Sequence, residues 1–104
     1  MKRDLKLTTA QRELLSLDHA ISQLHDKFGD RADGRADYID AEERRSDALE
    51  HLATIQAGSP EGMIAKARAL KAVSIADDLD RRAEIAASLA GDVLRFFDRG
   101  GLSA

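Results

Sequence analysis

Leu14, Leu17, Ile21, Leu24 and Phe28 recur at alternating intervals of three and four residues, which lines one face of a helix in the manner of a coiled coil. Leu15 and Ala20 widen the stripe. Ahead of it, Thr8 and Thr9 are capping residues, and Gln11 stands three residues after Thr8 in capping-box position. Gly29 follows as a left-handed stop. The pattern predicts a helix over 9–28.

A second seam runs through Tyr38, Ala41, Ala48, Leu52 and Ile55, with Ile39 and Leu49 alongside, and predicts a helix over 37–57 ending at Gly58. Arg45 falls on that seam, inside a stretch, Glu42 to Asp47, that is polar all round. Either this end overhangs the bundle or Arg45 reaches a carboxylate on a neighbouring helix. The overhang is favoured, because long basic side chains readily snorkel out of a seam. Between the two helices, Gly29, Gly34 and the aspartates Asp30, Asp33 and Asp37 read as a loop, with Asp33 or Asp37 capping the second helix.

The third segment opens on Ser59-Pro60-Glu61, a cap followed by proline at the first helical position, and closes on Gly100-Gly101. From Pro60 to Phe97 its only glycines are Gly62 and Gly91. An unbroken helix of that length would run about 57 Å. One stripe is Met63, Ala67 and Leu70; another is Ile75, Leu79, Ala86, Leu89, Val93 and Phe96. The two are out of phase across Leu70 to Ile75, and Ser74 with Asp77 would make a capping pair. One helix over 60–97 and a chain broken near 74 both remain open. Asp77 with Arg81 and Asp78 with Arg82 are spaced as helical ion pairs. The expected fold is all-α, a single domain over 1–104. It is an antiparallel helical hairpin plus a long or kinked third helix, making a three- or four-helix bundle.

Composition sharpens this picture. Alanine supplies 18 of the 45 hydrophobic residues, and the only aromatics are Phe28, Tyr38, Phe96 and Phe97, so the core should be thin and its helices closely spaced. Phe96 and Phe97 cannot share one narrow seam. At least one should pack on another element, such as the first helix near Leu14 to Ile21, or on another subunit. The absence of cysteine excludes a disulfide framework and thiolate chemistry. The basic start, Met1 to Leu7, leads into no apolar signal region, and no run approaches the roughly 20 apolar residues of a membrane span. A cytoplasmic protein with no membrane association is the expectation.

The net charge of −3 comes from the middle third: residues 29–57 carry eight acidic and four basic side chains. Asp30, Asp33, Asp37, Asp40, Glu42, Glu43, Asp47 and Glu50 are therefore the candidate surface for a basic partner. A small basic cluster, Lys66, Arg68 and Lys71, has no acid between Glu61 and Asp77. It is the alternative, a set of nucleic-acid contacts, but no aromatic side chains interleave with it for base stacking.

No catalytic or metal constellation emerges. His19, His25 and His51 lack the spacing of a zinc site. Aligning Gly34 with the glycine of a calcium-binding helical loop places Gly29 and Arg31 where carboxylates are needed. Glu42/Glu43 and Asp77/Asp78 are adjacent pairs, which diverge by about 100° on a helix. Neither a phosphate-binding nor a dinucleotide-binding glycine loop is present. No enzyme activity and no cofactor are expected.

Ser59-Pro60-Glu61-Gly62, Ala65 to Leu70 and Ala87 to Arg95 resemble the C-terminal half of small helical proteins without assigned activity that are common in α-proteobacterial genomes and prophage-like regions. The resemblance implies a bacterial, cytoplasmic, helical protein and transfers no catalytic residue. The functional expectation is a non-enzymatic protein–protein interaction module, self-associating or serving as a small adaptor or inhibitor of a larger bacterial or phage complex. Self-association, as a homodimer, would use Ile75, Leu79, Ala86, Leu89, Val93 and Phe96. The alternative is a small DNA-associated regulator.

Overall fold

Four helices pack against one another in the computed structural model, which describes residues 2–73 and 79–98. They are α1 (Lys2–Phe28), α2 (Ala36–Thr54), α3 (Pro60–Ala72) and α4 (Leu79–Asp98), with a 3-10 turn over Gly29–Gly34 between the first two. Successive helices alternate in direction. α1 packs on α2 and α3, and α4 packs on the same two helices, while α1 and α4 are not neighbours among the described residues. The bundle is flattened and elongated, 55 × 26 × 17 Å.

The long third helix is therefore not formed. α3 ends at Ala72, where Val73 takes an extended conformation (φ −79°, ψ 120°), and α4 starts again at Leu79. The out-of-phase stripes are two helices folded back on each other. Ile75, Ser74, Asp77, Asp78 and Gly100-Gly101 lie outside the described residues. Arg81 forms its ion pair with Glu84, 3.2 Å away.

The core is as thin as the alanine content implies. Leu7, Leu14, Leu49, Leu52 and Ile85 are its fully buried large apolar side chains, and Ala10, Ala48, Ala65, Ala69 and Val73 fill the space between them. Each fully buried leucine or isoleucine contributes roughly 1.5–3 kcal/mol of transfer free energy, so these five carry much of the hydrophobic stabilisation.

α1 begins well before the expected start at residue 9. Leu7 and Ala10 are buried and continue the stripe of Leu14 and Leu17 toward the N-terminus. Thr8 is thus no cap: it sits inside the helix and its hydroxyl donates to the Asp4 carbonyl at 2.9 Å. At the other end Gly29 does stop α1, with φ +58°. The segment after it is wound into the 3-10 turn that buries Ala32, and Arg35, not Asp33 or Asp37, is the N-cap residue of α2. Asp37 accepts instead from Arg35 and from the Tyr38 N–H. α2 stops at Thr54, three residues short of the expected 57.

Candidate functional site

The most consequential side-chain cluster lies where α3 meets α4. Lys66 and Asp92 are both fully buried and form an ion pair. Lys66 Nζ also donates to Ser88 Oγ at 2.7 Å. Asp92 accepts in addition from Arg95 and, at 3.2 Å, from the backbone N–H of Ala57 in the middle of the α2–α3 connection. One carboxylate thus joins α3, α4 and the loop before α3. A charge taken out of water is tolerated only when paired and hydrogen-bonded, and this network supplies both. Structurally it locks α3, α4 and the α2–α3 connection together.

This placement corrects the proposed nucleic-acid contacts. Arg68 and Lys71 are exposed, but Lys66 points into the bundle and cannot reach a phosphate backbone. The inward face of α3 is Gly62, Ala65, Lys66 and Ala69, rotated from the expected stripe of Met63, Ala67 and Leu70. A signal for this was available. Lys66 is flanked by alanines with core spacing, and Asp92 lies seven residues, two helical turns, after Ile85.

A second buried carboxylate caps α3 from a distance. Ser59 occupies the N-cap position but makes no side-chain capping bond of its own. Its hydroxyl donates to Asp4, which also accepts from the Gly58 N–H at 2.8 Å. Burial works against the charge of Asp4. The hydrogen bonds from Ser59 and from the Gly58 and Gly62 N–H groups outweigh it and hold its carboxyl below the usual range. Gly62 is needed for this approach: a Cβ there would lie 2.9 Å from the Ala57 Cβ and 3.0 Å from the Asp4 Cγ. Asp4 does for α3 what an N-cap residue ordinarily does from within the same segment.

At the opposite end α1, α2 and the 3-10 turn form a two-helix arm. Arg45 settles its ambiguity here. It is largely buried and pairs with Asp18 of α1, so it crosses the seam to a carboxylate and does not overhang. Arg44 pairs with Glu13 at 3.0 Å. His25 meets Tyr38 edge to face, with Nε2 3.2 Å from the phenol oxygen, and burial, then Glu42 and Asp33, push the Tyr38 hydroxyl up. The Arg35 guanidinium lies over the Phe28 ring, 3.8 Å from its centre. A groove of about 500 Å³ is lined by Asp18, Ile21, His25, Tyr38, Glu42 and Arg45, with Ala72 at its rim. His19 and His51 are exposed, and no group of three or more metal-binding side chains converges among the described residues.

All eight candidate acids, Asp30, Asp33, Asp37, Asp40, Glu42, Glu43, Asp47 and Glu50, are exposed. They are not one patch. Asp40, Glu43, Asp47 and Glu50 share the outer face of α2, at intervals of three, four and three residues, opposite buried Ala41, Ala48 and Leu52. Asp37 is bound to Arg35, and Glu42 faces the groove.

The expected self-association stripe is divided. Leu79 and Ala86 are exposed, whereas Leu89, Val93 and Phe96 are half-buried on the side of α4 that carries buried Ile85 and Asp92. Phe96 and Phe97 meet edge to face at 5.5 Å. They do not pack on α1, which is not adjacent to α4. No helix among the described residues is long and apolar enough to cross a membrane. No known protein family, curated protein or solved structure matches the chain.

Proposed function

We propose that the protein is a non-enzymatic interaction module, a cytoplasmic adaptor or inhibitor that offers the outer face of α2 to a basic surface of a larger bacterial or phage complex. The observation that carries this reading is the alignment of Asp40, Glu43, Asp47 and Glu50 on one exposed helix face, with none of them in an ion pair among the described residues. Unneutralised charge of one sign along about 15 Å of helix steers an oppositely charged partner and sets its register. The packing of α2 against its neighbours supports that role, because its inner side is buried in the core while this outer face stays exposed. The DNA-associated alternative loses its central cation to the core, leaving Arg68 and Lys71.

Affinity capture from the native host, using wild type and an Asp40→Lys/Glu43→Lys/Asp47→Lys variant, tests the proposal. The expected result is a partner held by the wild type, released by salt, and absent with the variant. Equal capture by both proteins overturns the reading. So does the lack of any salt-sensitive partner, or DNA binding in a mobility-shift assay that is lost in Arg68→Ala/Lys71→Ala.

A further inference from the structure

The outward side of α4 carries apolar residues that nothing among the described residues covers. Leu79 is 61% exposed and Leu94 62% exposed, and between them Ala83, Ala86, Ala87 and Ala90 are all exposed as well. At about 100° per residue these six positions fall within an arc of roughly 100°, one continuous face. Phe97, 47% exposed, extends it at the C-terminal end. α2 and α3 cover the opposite side of the helix, and α1 does not approach it.

We infer that this face joins two copies of the chain as an antiparallel α4–α4 dimer about a two-fold axis passing between Ala86 and Ala87. The order of large and small residues argues for a second copy as the occupant. Reversing the helix about that axis places Leu79 against the partner's Leu94, Ala83 against the partner's Ala90, and Ala86 against the partner's Ala87. Every position then meets its own kind. A two-fold interface requires such self-complementarity, and an unrelated partner does not. Alanines at the centre let the helix axes approach to about 8 Å, and the leucines close the seam at both ends.

Two faces about 30 Å long bury on the order of 1,000 Å² in total, the lower end for a specific interface. The dimer is accordingly a reversible one. It involves a helix other than α2, so its failure and the failure of the acidic-face proposal are separate results. This face also replaces the expected stripe, keeping Leu79 and Ala86 and exchanging inward-facing Leu89, Val93 and Phe96 for Ala83, Ala87, Ala90 and Leu94.

Sedimentation equilibrium from about 1 to about 500 µM tests the inference. Wild type should pass from monomer to dimer across this range. Leu94→Asp, at an exposed position, should weaken association at least about tenfold with unchanged helical circular dichroism. The chain has no cysteine, so single-cysteine variants report the orientation. Ala87→Cys should cross-link to its own copy on mild oxidation. Leu94→Cys should not, because the axis separates the two sites by about 20 Å along the helices. A wild type monomeric throughout, a Leu94→Asp variant that dimerises normally, or cross-linking of Leu94→Cys but not of Ala87→Cys would overturn it.

Discussion

Where α3 begins and α4 finishes, charged groups are turned inward. Lys66 and Asp92 are buried against each other, and Asp4 is buried against the N-terminus of α3. On the outer face of α2, toward the arm, Asp40, Glu43, Asp47 and Glu50 stand in solvent. The contrast follows from which helix faces have neighbours. Where helices pack over a position, a charge must be paired or the fold is penalised by several kcal/mol. Where a helix face has no neighbour, a charge contributes little to stability and remains available to a partner. Charge is a determinant of the fold in one region and a candidate determinant of recognition in the other.

The sharpest way to break this contrast is to remove one member of the buried pair. Asp92→Ala should lose about 3–5 kcal/mol in urea unfolding, because Lys66 is left as an uncompensated buried charge. Lys66→Met/Asp92→Leu should recover most of that loss, since an apolar pair of similar volume is often neutral or better. A double variant no more stable than the single one would show that the position needs charge for another reason.

The remote cap comes next. Asp4→Ala should cost about 1–2 kcal/mol, the range for a lost helix cap, and Gly62→Ala should destabilise by forcing Asp4 away from the α3 N-terminus. The Asp4 carboxyl titrates lower in the folded chain than in the unfolded one. Its contribution is therefore complete above the usual carboxylate range and is lost as the pH falls through its depressed value. Asp4→Asn should flatten the acid limb of a stability–pH profile while leaving the remaining carboxylates to shape it. An unchanged limb would contradict the cap.

Toward the arm the effects shrink. The Arg45–Asp18 pair is partly exposed, so a double-mutant cycle should return no more than about 1 kcal/mol. Smallest of all, Asp40→Lys/Glu43→Lys/Asp47→Lys should leave the thermal midpoint close to wild type, as expected for surface positions, while abolishing partner capture. A large loss of stability in that variant would mean that the acidic face is structural after all.

The same division decides what could be read from the amino-acid order. α1 and α2 were legible because Leu14, Leu17, Leu49 and Leu52 repeat with a helical period, and Gly29 marks its stop by adopting a conformation that other residues avoid. The division of α3 from α4 was legible as a phase slip between Leu70 and Ile75, though only packing decides between a kink and a turn back. The buried charges were not legible in the same way. Lys66 looks like any basic residue on an alanine-rich helix until Asp92 is placed opposite it, and the two are 26 residues apart in sequence. Asp4 is further still from the helix it caps, and no local pattern links it to Gly58. The exposed stripe on α4 was half visible: an amphipathic helix shows that it has an apolar face, but Ile85 and Asp92 must be placed before one knows which apolar residues are left outside.

The burial of Lys66 can be observed directly in nitrogen-correlated NMR spectra of the lysine ammonium groups. Exposed ammonium protons exchange with water too quickly to give sharp signals, whereas one enclosed in a stable core is protected. The account predicts a single slowly exchanging ammonium resonance that disappears in Lys66→Met and becomes exchange-broadened in Asp92→Ala. A spectrum in which every lysine ammonium exchanges rapidly at near-neutral pH would contradict it, and would return Lys66 to the surface beside Arg68 and Lys71.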